Sequence, residues 1–242
     1  MTASSFPGGT SLSHLDVYAD AAADGVCGGS PHMHLVSTEA YVVISGRGAL
    51  QSIDADGFRE TSLAPGGVVW FTPGTIHRAV NHGDLQVVVL MSNAGLPEAG
   101  DAVMTFPADV VADAEAYAAA ADLGDSDGRA ERASRRRDLA VFGFETLRDA
   151  VLTGDRAQLE AFHRAAGARV RERAVEWGDL VRARPLAQAE RSLELAEAVA
   201  SGSVLHLADA RVHEAVPSVG ERGFGMCGRL RTYELSDEET GR

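Results

Sequence analysis

The hydrophobic and polar positions of this chain follow two different rhythms, and the rhythm changes near residue 105. Before it, short runs rich in valine, isoleucine and aromatics recur at Tyr41–Ser45, Ala49–Ile53, Val68–Thr72 and Gln86–Met91. Glycines 46, 48, 57, 66, 67 and 74 punctuate them, as turns punctuate strands. Close-spaced short strands predict an antiparallel sandwich or barrel. After residue 105 the chain turns alanine-, glutamate- and arginine-rich, and 108–122, 129–152, 155–183 and 186–201 read as helices. Within the third, Leu159, Phe162, Ala166, Val170, Val175 and Trp177 keep a helical stripe. Asp155 stands at an N-cap position, Pro185 separates the third and fourth helices, and Gly202 ends the last. A strand at 226–235 is predicted to rejoin the N-terminal sheet. The expected division is a β domain over 1–105 and a helical region over 106–242.

Composition narrows the chemistry. Of 242 residues, 45% are hydrophobic and the net charge is −13, which suits a globular core and argues against nucleic acid as a partner. The basic run Arg135-Arg136-Arg137 reads as a solvated helix face. All 22 basic residues are arginine, so lysine Schiff-base chemistry and a Walker loop are excluded. Cys27 and Cys227 are too few for a disulfide framework and read as buried free thiols, although both lie in a G-x-C-G context. No apolar run approaches the roughly 20 residues that span a bilayer, and the N-terminus lacks a signal-peptide pattern. A cytoplasmic protein without membrane contact is expected.

The chemistry concentrates in PHMHLVSTEAYVVISG at 31–46 and GGVVWFTPGTIHRAVN at 66–81. Strand alternation sends His32 and His34 to one side and Met33 to the other. Glu39 has the opposite parity to His34, so an unbroken strand would turn it away; Ser37-Thr38 offers a place for a turn or bulge that corrects this, and Glu39, Tyr41 and Val43 then share a face. His77 follows the Pro73-Gly74 turn. Three neutral imidazoles and a carboxylate form a mixed N/O ligand set suited to one divalent transition metal, Fe, Mn, Co, Ni or Zn, with positions left for substrate or water.

These two stretches resemble the paired motifs of the cupin superfamily. In the first, His32-Met33-His34, four residues, Glu39, six residues and Gly46 fit the family spacing, although the leading glycine position falls at Val26. In the second, Gly66, five residues, Thr72-Pro73-Gly74, two residues, His77, three residues and Asn81 fit, with Thr72 where proline is usual. The resemblance covers about 30–95. It implies a mainly β plus α chain with an N-terminal cupin β-barrel of the jelly-roll class, and a metal held inside it by His32, His34, Glu39 and His77.

An open metal site supports enediolate chemistry of the isomerase or epimerase kind, or dioxygen chemistry. The stretch after the second motif is similar to the mannose-6-phosphate-isomerase-like branch, with Gly95, Glu98 and Asp101 in comparable places. The expectation is an isomerase or epimerase acting on a small oxygenated metabolite, with an iron-dependent dioxygenase as the alternative and a non-catalytic ligand sensor as the third. Tyr41 is the candidate catalytic proton donor. Gln51 and Trp70 are expected to line the interior and Arg78 to face outward, while Arg47 and Arg59 are candidate phosphate contacts. The resemblance further implies a homodimer.

Overall fold

A computed structural model describes residues 5–124 and 127–235. The β half is built from β1 (Ser11–Val17), β2 (His32–His34), β3 (Glu39–Asp54), β4 (Gly57–Leu63), β5 (Val68–Phe71), β6 (Ile76–Met91) and β7 (Ala102–Met104). Helices α1 (Ala108–Ala112), α2 (Ala114–Ala121), α3 (Arg129–Leu152), α4 (Ala157–Val170), α5 (Ala174–Val181) and α6 (Ala187–Ala200) follow. The chain then returns to the sheet through β8 (Ala215–Pro217), β9 (Gly223–Phe224) and β10 (Gly228–Leu235). The expected mainly β plus α class is observed, with jelly-roll pairing, but the strand path β4-β3-β6-β1-β10-β8 does not close on itself.

The two runs expected at Tyr41–Ser45 and Ala49–Ile53 are one strand. β3 and β6 pair along their whole length from Glu39–Met91 to Ile53–Ile76, with register shifts between Val43 and Gly48. Gly46, at φ +71°, bends the strand there instead of ending it, and a Cβ at this position would collide with the Asp84 carbonyl. The bend lets both strands serve two sheets. Their Glu39 and Met91 ends lie with β5, β1 and β10, and their Ile53 and Ile76 ends lie with β4, β2 and β7. β10 pairs antiparallel with β1, so the tail does rejoin the sheet.

Two clusters form the core. Leu15, Val17, Tyr41, Val43, Leu50, Leu63, Phe71, Ala79, Val87 and Val89 fill the space between the sheets. Met33, Ile53, Ile76 and Val103 point the other way and pack under Val111, Ala140, Phe144, Leu147, Phe162 and Trp177 of the helices. The helical half is therefore a layer over one outer face of the β half. Thr105 ties the two by donating to the Ala140 carbonyl at 2.8 Å.

Several local expectations are corrected. The helix predicted over 108–122 breaks at Asp113, whose carboxylate accepts from Ala116 N at 2.8 Å and caps α2. The one predicted over 155–183 is interrupted by a turn after Val170. Asp155 accepts from Ala157 N at 2.9 Å but stands one residue ahead of the N-cap position, which Arg156 takes. Pro185 does not separate the helices: it sits in a π turn, Arg182–Leu186, through which α5 runs on into α6. Of the arginine run only Arg135 is solvated. Arg136 and Arg137 are buried, donating to the Gly225 carbonyl at 2.8 Å and to Asp20 at 2.5 Å, because α3 turns that face to the β half.

Arg78 is 1% exposed, not outward in solvent, because the strand's outer face is itself covered there by residues 24–29. Its guanidinium pairs with Asp24 at 2.5 and 3.2 Å. Trp70 is also reversed: Phe71 takes the inward position and Trp70 is 70% exposed. Gln51 is half-buried and donates to Glu60 across β4 at 3.1 Å. Cys27 and Cys227 are both free thiols, but only Cys227 is buried; Cys27 is partly exposed.

Candidate metal centre

Three short pieces of backbone bring four ligand-type side chains together. β2 sends His32 and His34 to one side, and β6 places His77 opposite His32 in register. A break in strand structure between His34 and Glu39 resets the parity, so that Glu39 opens β3 facing inward with Tyr41 and Val43. One ligand atom from each of His32, His34, Glu39 and His77 lies within 4.8 Å of all the others, and all four residues are buried.

Two of the imidazoles are held from behind by a hydrogen bond, and the third faces a buried carboxylate. His32 Nδ1 lies 2.9 Å from the Ser30 carbonyl and His77 Nδ1 lies 3.2 Å from the Thr75 carbonyl. Both contacts fix the Nδ1–H tautomer and leave the Nε2 lone pair aimed at the cluster. His34 Nδ1 faces Asp101 Oδ2 at 3.7 Å. Asp101 is fully buried and accepts backbone N–H bonds from Leu35, Val36 and Ser37 at 3.0, 2.8 and 2.8 Å. It thus holds the turn that delivers Glu39. Asn81 plays the matching part at the bend, accepting from Gly83 N and Leu85 N and donating to the Val17 carbonyl.

The electrostatics match a cation site. Glu39 Oε2 stands 3.1 Å from His34 Nε2 and 3.1 Å from His77 Nε2. Yet Glu39 Oε2 and His77 Nε2 are buried atoms without a directed hydrogen bond among the described residues. Leaving such atoms unsatisfied costs about 1–3 kcal/mol each, more when charged, and a shared cation removes that penalty. Burial alone would raise the Glu39 pKa, but His77 and His34 outweigh it and hold the carboxyl well below its usual range. Burial, reinforced by the neighbouring imidazoles, pushes His32 well below its ordinary value. Burial would also lower His34, but Asp101 and Glu39 prevail and raise it to about 9. Burial works against ionising Asp101 as well, and its contacts with His34 and Ser37 keep it below the usual carboxylate range.

Tyr41 is fully buried, its hydroxyl 3.4 Å from Cys227 Sγ. Burial raises its pKa well above the ordinary value, with Cys227 and Glu39 adding to the effect. Burial likewise pushes the Cys227 thiol up to about 12, with the Glu39 charge contributing. A cavity of about 610 Å³ reaches His34 and Glu39 and leaves His32 and His77 sealed behind them. Its walls are mainly apolar, from Leu12, Leu15, Val89, Met91, Met226 and Leu230, with Glu98 and Arg184 among the few further charges. Arg47 and Arg59 do not line it; both are exposed, and Arg59 pairs with Asp54 at 2.7 Å. Asp101 and the tail residues Met226, Cys227 and Leu230 are the contributions least visible in the sequence. Asp101 showed only as part of an acidic segment, and Cys227 only through its G-x-C-G context.

A jelly-roll of this pairing, with three histidines and a glutamate gathered on its inner strands, defines the class of domain. Residues 23–93 match the family model of the cupin domain, and that segment is a cupin domain. No curated protein matches the sequence. Among solved structures, the capsular polysaccharide assembling protein CapF from Staphylococcus aureus is 21% identical, over 34% of this chain and 22% of that chain, with a TM-score of 0.26. This chain thus spans far less than two thirds of CapF's length. WlaRA, a TDP-fucose-3,4-ketoisomerase from Campylobacter jejuni, is 12% identical over 38% of this chain and 64% of that one, with a TM-score of 0.32. KdgF from Halomonas sp. is 21% identical over 38% of this chain and 74% of that one, with a TM-score of 0.27.

Proposed function

We propose that the chain is a metal-dependent cupin enzyme acting on a small oxygenated molecule with an apolar body. His32, His34, Glu39 and His77 would hold one divalent transition metal, Fe, Mn, Zn, Ni or Co. The observation that carries this reading is the cavity that reaches His34 and Glu39 from one side while His32 and His77 remain sealed. A metal bound there supplies Lewis-acid polarisation of a carbonyl or hydroxyl pair. The rest of the work falls to the chain. Apolar side chains from β1, β6 and β10 shed water and grip the substrate body, while Arg184 and Glu98 offer polar contacts.

Isomerase or epimerase chemistry is the leading reaction class, because it needs a neutral proton donor close to the metal. Tyr41 is the proposed donor because its hydroxyl lies in the same buried cluster, 3.4 Å from Cys227 Sγ, which lines the cavity, although Tyr41 itself does not line it and burial raises its pKa against giving up the proton. The apolar cavity walls favour a second reading, a dioxygenase on the same four residues. Metal analysis of the purified protein, followed by a metabolite screen with and without oxygen, tests both. Anaerobic turnover with Mn or Zn supports the isomerase. Bound iron with substrate-dependent oxygen uptake replaces it with the dioxygenase, and ligand binding without turnover under any metal leaves a binding protein.

A further inference from the structure

The cavity that reaches His34 and Glu39 is not made by the cupin domain alone. Leu180 and Arg184 line it from the helical half, far along the chain from residues 23–93. Arg184 sits in the π turn Arg182–Leu186 through which α5 runs into α6, and single π turns within α-helices recur at functional sites. This turn is seated on two glycines. A Cβ on Gly9 would collide with Pro185, and one on Gly95, at φ +91°, would collide with the Arg184 guanidinium. Gln188 holds the turn from the next residues, donating to Ser5 Oγ at 2.8 Å and accepting from Gly8 N at 2.7 Å. Arg184 is half-buried, and its Nη1 donates to the Ala94 carbonyl at 2.6 Å. That is its one directed hydrogen bond, and it forms no ion pair among the described residues. Arg78, Arg137 and Arg222, by contrast, each face an aspartate. A guanidinium carries five N–H donors, so most of those of Arg184 remain for a molecule in the cavity.

We propose that Arg184 is the specificity-determining residue of this cavity and takes the carboxylate of a small monoanionic substrate. The proposal rests on reading the cavity as the substrate site. Charge and shape choose the group. A flat carboxylate presents two oxygens that match the guanidinium fork, and such charge-assisted pairs are about twice as strong as neutral ones. A phosphate ester is tetrahedral and brings a second negative charge into a cavity that already holds Glu39 and Glu98. The walls set the rest of the molecule. Leu12, Leu15, Val89 and Leu230 offer an apolar bed for its body, and a few placed polar groups in a mainly apolar cleft are what fix a ligand's orientation. Because Gly9 and Gly95 hold the π turn in place, little ordering is left to be done when the substrate arrives. With its carboxylate on the helical wall, the substrate can extend towards His34 and Glu39.

Titration calorimetry of the full chain with hexanoate, neutral hexanamide and pentyl phosphate tests it, on protein stripped of metal by a chelator and on protein loaded with zinc. The wild type should bind hexanoate at least about tenfold more tightly than either other probe, the worth of a hydrogen bond to a charged group, in both metal states. Arg184→Gln should erase that preference while hexanamide binding and the unfolding midpoint are retained. Arg184→Lys, which keeps the charge without the fork, should keep part of it. The stripped protein separates this proposal from the metal reading. A preference that persists there and depends on Arg184 supports the proposal even if no metal or turnover is found. A preference seen only with zinc and indifferent to Arg184 assigns the carboxylate to the metal and overturns it. So would an absence of saturable hexanoate binding at millimolar concentration, a preference for the phosphate, or a lysine variant as poor as the glutamine one.

Discussion

Asp101 and His34 face each other at 3.7 Å, and the same Asp101 carboxylate collects the backbone N–H groups of the three residues that follow His34. One buried side chain therefore holds the turn that brings Glu39 inward and sets a negative charge beside the His34 imidazole. Asp101→Asn keeps the size but removes the charge beside His34 and puts an amide N–H where Ser37 N needs an acceptor. Metal affinity, measured by competition with a chelator, should weaken about 10–100-fold, the usual consequence of losing a group that orients a ligand.

The raised His34 pKa makes the metal-free protein pH-sensitive. With its ordinary value of 6.5 raised to about 9, His34 contributes stability that is fully present below pH 6.5 and lost as pH rises through about 9. Glu39 and Asp101 are depressed, so their contribution is present above the usual carboxylate range and lost on acidification. Metal must displace the His34 proton, and its apparent affinity should rise about tenfold per pH unit below pH 9. Calorimetry in buffers of different ionisation enthalpy should therefore detect a proton released on binding. Equal affinity at pH 6.5 and 9 would rule out this coupling.

The two thiols should react differently. Cys27 is partly exposed, whereas Cys227 is buried with its thiol pushed up to about 12. Because the thiolate is the reactive form, a chromogenic disulfide reagent at neutral pH should titrate one thiol in the native protein and two after denaturation.

Asp24 and Arg78 form a buried pair whose loss should be expensive. Asp24→Ala strands a guanidinium that is 1% exposed, at a cost of about 3–5 kcal/mol. Glu131→Ala breaks an exposed pair with Arg135 and should cost less than about 1 kcal/mol. Chemical denaturation of the two variants compares them directly. The Asp24 carboxyl is held below its ordinary range by Arg78 and the Val26 N–H against the opposing effect of burial, so the pair's contribution fades as pH falls.

Tyr41→Phe removes one hydroxyl and little else from the core. If that hydroxyl supplies the proton, kcat should fall about 100-fold or more while metal content is unchanged. An unchanged kcat would remove Tyr41 from the reaction.

What was legible in the sequence was what local geometry decides. Strand parity put His32 and His34 on one side, and the parity conflict at Glu39 called for the break that lies between His34 and Glu39. Composition separated strands from helices, and the tail strand was visible from its own pattern. The misplaced residues share a different cause. Whether Arg78, Arg136, Arg137 or Trp70 meets water depends on which outer face the helices cover, and alternation along a strand carries no information about that. Asp101 escaped notice as a support for His34 because the two are 67 positions apart and joined only through the pairing of β2 with β7.

The placement of β10 next to β1 has a consequence for how the pocket comes into being. The ribosome delivers His32 through His77 early, whereas Gly225, Met226, Cys227 and Leu230, which line the same cavity, emerge some 150 residues later. A nascent chain paused within α3 already carries every group proposed to hold the ion, but one wall of the chamber around them has yet to be made. Translation therefore supplies the ion-holding groups first and finishes the chamber last.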